Sequence, residues 1–351
     1  MWDLSFSERS EFERACQLAH KSLRGLTYKE AITEAIWQVM EKDPSVFIMG
    51  EGVDHCGWIF GTTKGLGERF GKNRAFDTPI AENTITGIAS GAGLCGLKPI
   101  IVHARMDFLM LAMDQIINHA SKMRYMSGGR VRVPLVVRTM IGGGWGSAAQ
   151  HSQGLQAFFA HAPGLKVVMP STPYDLKGLF VSSIRSKDPV IFIETKFLYE
   201  HVGYVPKRLY SVDFGKGAIR REGSDVTICA ISYMVYEAIK ASDSLRKDGI
   251  KAEVIDLRSL RPLDEEIILK SVKKTHRLVV CDNAWKTCGF SAEISAIANE
   301  KAFRYLKAPI KRVALPDIPT PASPALEKAF YPKARDIIKA VKKVYKFKRK
   351  I

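Results

Sequence analysis

Nothing limits the fold of this chain more than a recurring pattern of short, almost uninterrupted apolar runs separated by helical stretches. Residues 46–50, 99–104, 134–141, 165–170 and 189–194 make one series, and 226–231, 252–257, 277–282 and 310–315 a second. A strand that is apolar on both faces has to be covered on both, so such runs alternating with helices point to parallel sheets with helices on either side. The predicted fold class is therefore α/β, with two parallel-sheet, three-layer α/β/α domains. At 351 residues, 46% of them hydrophobic, the chain has length for two ordinary cores and none to spare for a third.

Local signals set the expected boundaries. Thr27-Tyr28-Lys29-Glu30 matches a capping box that opens an amphipathic segment through Ile32, Ala35, Ile36 and Met40. The ordered core is thus expected from Thr27, with residues 1–26 as an N-terminal helical extension. Gly203, Pro206, Gly215 and Gly217, with little periodicity around them, mark 201–217 as a linker between a first domain at 27–200 and a second at 218–351. The second ends in a basic tail carrying Lys342, Lys343, Lys346, Lys348, Arg349 and Lys350.

Composition removes several function classes. No stretch approaches the roughly 18 apolar residues of a membrane span, and Met1-Trp2-Asp3-Leu4 lacks the basic and apolar signature of a signal peptide, so the expected location is the cytoplasm and no membrane partner is expected. Six cysteines lie scattered without zinc-ligand spacing, which predicts reduced, mostly buried thiols. The formal charge of +17 invites a nucleic-acid reading. Its basic residues are spread along the chain, however, and no stacking motif or Cys/His finger accompanies them, so no nucleic-acid partner is expected; an acidic protein partner explains the charge as easily.

Open parallel sheets bind ligands beyond the carboxyl ends of their strands. Glu51 follows the first run, His103 to Phe108 close and follow the second, and Gly142 to His151 follow the third. Glu82, just before the small-residue run 87–93, reads first as a first-turn carboxylate favoured by the helix dipole. Its sharper reading is a carboxyl held among Pro79, Ile80 and Ile85, kept from water and suited to sharing a proton with a cofactor nitrogen. The glycine-rich loop 142–146 permits positive φ and close backbone approach, and is neither a Walker loop nor G-x-G-x-x-G. His151 beyond it reads as a structural hydrogen-bonder or as a catalytic group. His103 and Arg105 read either as polarising the pocket toward an anionic or polar substrate group or as a surface pair at a subunit interface.

Taken in order, Gly50-Glu51, 76–82, 114–118, Tyr125-Met126-Ser127-Gly128-Gly129, Gln150-His151-Ser152-Gln153, 163–168, 255–258, 262–264 and 289–294 resemble the beta subunits of thiamine-diphosphate-dependent 2-oxo acid dehydrogenases of the pyruvate, branched-chain and acetoin type. The likeness runs from Thr27 to about residue 340. It implies a transketolase-like pyrimidine-binding domain followed by a transketolase C-terminal domain. It further implies a beta subunit that decarboxylates a 2-oxo acid and passes the acyl group to lipoamide, active only with an alpha subunit in a two-alpha, two-beta tetramer.

By the same resemblance, Glu82 hydrogen-bonds N1′ of the thiamine pyrimidine, Phe108 packs on that ring, Ile80 lies at the cofactor, Glu51 belongs to a buried acidic path between the tetramer's two cofactors, and His151 faces the substrate end. Leu135, Ser183, Ile184, Ser186 and Asp188 fall where relatives hold a potassium ion, largely by carbonyl oxygens; Ser186 stands where aspartate is more usual. No Gly-Asp-Gly with a distal Asn occurs to hold magnesium at the diphosphate, so the magnesium and the diphosphate half fall to the alpha subunit. A lipoyl acyltransferase core is a further implied partner. The competing readings are half of a split transketolase or deoxyxylulose-phosphate synthase, and a non-catalytic binding protein that keeps the fold. The first would need arginine and histidine sets for sugar phosphates, and the second would need none of Glu82, Phe108 and His151.

Overall fold

The computed structural model describes residues 4–55, 57, 60–144 and 146–347; Met1, Trp2, Asp3, Lys348, Arg349 and Lys350, named above, lie outside them, as do residue 145 of the glycine-rich loop and one of the six cysteines. Internal packing divides the chain into two units, one of 1–141 with 158–214 and one of 142–157 with 215–351.

The strands of the first unit are β1 (Gly25–Thr27), β2 (Val46–Gly50), β3 (Ala75–Asp77), β4 (Lys98–His103), β5 (Val136–Ile141), β6 (Lys166–Val168), β7 (Val190–Thr195) and β8 (Val202–Tyr204). Strands β6-β7-β5-β4-β2-β3 lie side by side in that order and run parallel. Every residue of β5 and β7 is buried, as continuous apolar runs require. Two charges lie among them: Arg138 donates to Glu194 through Nε and Nη2, and the Tyr199 hydroxyl donates to the same carboxylate at 3.0 Å. A buried ion pair offsets its desolvation only when its hydrogen bonds are met, and Glu194 has three donors.

The second unit holds β9 (Ala218–Arg221), β10 (Val226–Ala230), β11 (Ala252–Asp256), β12 (Ser259–Arg261), β13 (Leu278–Trp285) and β14 (Lys311–Leu315). Its five-stranded sheet has the order β14-β13-β10-β11-β9. The sheet is not wholly parallel as expected, because β9 pairs antiparallel with β11 at the edge. Such an edge strand needs only one buried face, and β9 indeed mixes buried Arg220 with exposed Ile219, so it shows no apolar run to be read.

Three expected boundaries look different in atoms. The capping box is present: Glu30 N–H donates to Thr27 Oγ1 at 3.2 Å and Thr27 N–H to Glu30 Oε2 at 2.7 Å. Order nevertheless begins earlier, since the helix Arg9–Leu18 buries Phe12 and Cys16 against Val202, and β1 pairs with β8. The stretch 201–214 packs on the first unit, with Tyr210 stacked on Tyr174 at 4.6 Å and Val212 N–H bonded to Gly178 O. The basic tail begins later than expected: Lys342 and Lys343 belong to the helix Ala334–Tyr345, whose Ile337, Val341 and Val344 complete the core of the second unit. Among the described residues, no helix is long and apolar enough to cross a membrane.

Candidate active site

In the first unit, candidate residues gather at the carboxyl ends of β2, β3 and β4. Gly50 ends β2 at a φ of 136°, and a Cβ there would stand 2.3 Å from Val102 O, so only glycine lets the chain turn this close to β4. Glu51 follows, its N–H bonded to Val102 O at 3.2 Å. Asp77, at the end of β3, secures the loop beyond it by accepting from Val53 N–H and, at 3.1 Å, from Asp54 N–H. Glu51 is thereby held by two strands it does not belong to.

Glu82 opens the helix Glu82–Leu94 and is 6% exposed, yet its carboxyl makes no hydrogen bond or ion pair with another described residue. Part of the apolar setting expected around it is absent from this chain: Ile85 is buried, but Ile80 is 78% exposed and Pro79 is exposed too. Whatever covers Ile80 is therefore not one of the described residues. Phe108, in the short helix Met106–Leu109, is half-buried.

One turn on from Glu82, Thr86 Oγ1 lies 2.9 Å from His103 Nε2, and the other ring nitrogen, Nδ1, lies 3.9 Å from Glu51 Oε1. Thus Glu51, His103, Thr86 and Glu82 share one buried patch. Thr86 was missed in the sequence; the signal that finds it is the four-residue spacing, which puts 82 and 86 on one helix face. His103 is fully buried and Arg105 is 8% exposed, so the surface-pair reading of these two fails. Arg105 instead lies over the Phe60 ring, 5.4 Å from its centroid.

A separate set of candidate residues lies on the loop 142–157, which packs within the second unit. Gly142, Gly144 and Gly146 all have positive φ, as the glycine run suggested. The loop is fastened at both ends: Gly144 N–H donates to Glu327 Oε1 at 2.6 Å, and Gln156 Nε2 donates to Asp282 Oδ1 at 2.8 Å. His151 between them is exposed, while Ser152 beside it is buried. Burial pushes the Asp282 carboxyl up to about 6, against the hydrogen bonds from Gln156 and from backbone groups that hold it down. Asp282 was read only as the end of an apolar run. Glu82 and His151 fall in different units.

The expected potassium set lies in the first unit, where much of its polar capacity is in use. Leu135 O accepts from Val190 N–H at 2.8 Å, and Ser183 O from Ser186 N–H at 3.1 Å. Lys166 Nζ is 3.0 Å from Ser186 Oγ and 2.8 Å from Asp188 Oδ2, and Arg124 Nη1 adds 2.7 Å to Asp188 Oδ1. Burial opposes ionisation of Asp188, but these two cations outweigh it and hold its carboxyl below the usual range. Ile184 is buried on the helix Pro173–Arg185 with Ser183.

Comparison with known proteins identifies both domains. Residues 24–201 match the transketolase pyrimidine-binding domain and 215–337 the transketolase C-terminal domain. Over 92% of this chain and 98% of the relative, 46% of residues are identical to the acetoin:2,6-dichlorophenolindophenol oxidoreductase subunit beta of Cupriavidus necator. The pyruvate dehydrogenase E1 component subunit beta of Rickettsia felis is 44% identical over 91% of this chain and 98% of its own. The 2-oxoisovalerate dehydrogenase subunit beta of Bacillus subtilis is 44% identical over 87% and 94%. Among solved structures, a split-gene transketolase described as an inactive beta4 tetramer superposes with a TM-score of 0.73 at 22% identity, covering 93% of this chain and all of that one, which shows the shared fold.

Proposed function

This chain belongs to the transketolase-like family of thiamine-diphosphate-dependent 2-oxo acid dehydrogenase beta subunits, and from that premise we propose that it supplies the pyrimidine half of an active site completed by an alpha subunit. The observation that carries the proposal is Glu82, a residue of 6% exposure whose carboxyl has no partner among the described residues, beside an Ile80 that nothing described covers. Both are what a cofactor ring and a second subunit would satisfy. Ile88, Leu111, Tyr125 and Met126 are also more than half exposed, apolar surface of the kind that partner chains bury.

Bound thiamine diphosphate supplies the nucleophilic carbon and the electron sink for loss of carbon dioxide from a 2-oxo acid. Glu82 holds a proton at the pyrimidine N1′, and Phe108 and Ile80 shield that ring from water. Glu51 keeps an acidic group buried behind it. His151, exposed on a loop fastened at both ends, moves a proton at the substrate end during acyl transfer to lipoamide. Magnesium and the diphosphate fall to the alpha subunit, in a two-alpha, two-beta assembly. A potassium ion at Leu135, Ser183, Ile184, Ser186 and Asp188 would depend on backbone carbonyls, since Lys166 and Arg124 already engage the side-chain oxygens.

The test is reconstitution. By calorimetry with magnesium, the lone chain is expected not to bind thiamine diphosphate tightly, and the alpha–beta heteromer is expected to bind it and either decarboxylate a member of a 2-oxo acid panel that includes pyruvate and branched-chain acids or cleave the carbon–carbon bond of acetoin, which has no carboxyl to lose. Micromolar binding by the lone chain overturns the shared-site reading. Heteromer activity on sugar phosphates in place of 2-oxo acids would favour the split transketolase.

A further inference from the structure

The reading above uses Glu82 and Glu51 and leaves the imidazole between their elements without work. His103 ends β4 with its ring wholly buried. Its Nε2 meets the Thr86 hydroxyl at 2.9 Å, and its Nδ1 faces Glu51 Oε1 at 3.9 Å. Both Nδ1 and Glu51 Oε1 are inaccessible to solvent and have no hydrogen-bond partner. The other Glu51 oxygen receives only a long bond, 3.4 Å from Ala104 N–H. An imidazole nitrogen and a carboxylate oxygen are thus buried face to face, each lacking the partner the other can provide.

Which hydrogen the ring carries follows from elementary electrostatics. With Glu51 ionised, a bare Nδ1 would set two lone pairs against each other out of water, the costliest arrangement available. With a hydrogen on Nδ1, the same atoms attract. Thr86 permits this in either charge state, because a hydroxyl both donates and accepts: it donates to Nε2 of a neutral ring and accepts from Nε2 of an imidazolium. The ring can therefore gain or lose a proton without losing its hold on the helix that begins with Glu82.

We propose that His103 is a proton-holding positioning residue of the pyrimidine half-site, its Nδ1–H turned to Glu51 and its Nε2 locked to Thr86, so that Glu51 and the Glu82 helix are kept in one register and share a proton reservoir. The proposal rests on the reading of Glu51 and Glu82 as cofactor-facing acids. Other charged groups on the elements packed against β4 are Glu82 on its helix, Arg138 on β5 and Asp107 on the short helix after it; Arg138 is engaged by Glu194. Lys98 begins β4 itself and pairs with Asp43, and Arg105 lies two residues beyond His103.

Nitrogen-15 histidine spectra of the full chain, with the His103 resonances identified by their loss in His103→Gln, test the arrangement without cofactor or partner. The expected result is a hydrogen on Nδ1 at neutral pH, with the Nδ1 resonance moving in Glu51→Gln. A bare Nδ1, or an Nδ1 resonance unmoved by Glu51→Gln, overturns the proposal. In the heteromer, His103→Gln is expected to keep the thermal midpoint and the substrate KM, to lower kcat tenfold or more and to shift its pH profile. If His103→Gln lowers the midpoint and leaves the kcat profile in place, the residue is structural only and the proposal fails. If the spectra come out as expected but Glu51→Gln and Glu82→Gln leave turnover intact, the proton pair stands and the active-site reading is what has failed.

Discussion

Two acidic residues of low exposure in this chain have opposite surroundings. Glu82 has no partner among the described residues, whereas Asp282 accepts from Gln156 and from backbone N–H groups and is still pushed up to about 6 by burial. Glu82→Gln removes a positioned acid without changing its shape, so turnover of the heteromer is expected to drop a hundredfold or more while the lone chain melts as before. Equal turnover would take Glu82 out of the chemistry. For Asp282 the expected effect is on stability. The folded carboxyl binds its proton more tightly than the unfolded one, whose ordinary value is 3.8, so stability falls as pH rises from about 4 through 6. Asn at 282 cannot ionise, so in thermal unfolding the fall in stability between about pH 4 and 6 should be shallower in Asp282→Asn than in the parent chain; equal slopes would take Asp282 out of it. Motif order singled out Glu82, Glu51 and His151 as candidates in the sequence. Thr86, Gln156 and Asp282 were not, because what singles them out is contact across 17 to 126 positions of sequence.

At the scale of elements, the buried parallel strands were the easiest to foresee, since covering both faces leaves only apolar residues and a recognisable run. Strands that bury one face, such as β9, or that span three residues, such as β1 and β3, carry no such run and went unseen. The turn from β2 into Glu51 tests how tightly two elements are joined. Gly50→Ala would place a Cβ 2.3 Å from Val102 O and force a residue with a side chain to a φ of 136°. Backbone cannot move aside as a flexible side chain can, so a loss of roughly 2 kcal/mol or more is expected in denaturant unfolding. Activity should fall further than stability accounts for, because the same shift displaces Glu51. An unchanged midpoint would mean β2 and β4 can part at no cost.

For the molecule as a whole, the basic C-terminus illustrates where sequence reading stopped. Lysine density suggested a tail from 342, yet the helix Ala334–Tyr345 places Val341 and Val344 in the core and Lys342 beside Asp248 at 2.8 Å. Removing residues 341–351 should therefore unfold the second unit, whereas removing 348–351 should leave the melting curve unchanged. If those last residues steer an acidic partner, the shorter cut should slow association with a lipoyl acyltransferase binding domain at low salt and make no difference at high salt. Equal rates at both salts would show that they steer nothing. The chain also crosses between its two units three times, after residues 141, 157 and 214. Synthesis runs in one direction, so the loop bearing His151 leaves the ribosome long before Asp282 and Glu327, the residues that fasten it, have been made. The first unit can close around residue 214 while that loop is still unmoored. Only a ribosome that reaches the last helices gives the loop its anchors, and a chain cut short by premature termination carries His151 with nothing to hold it in place.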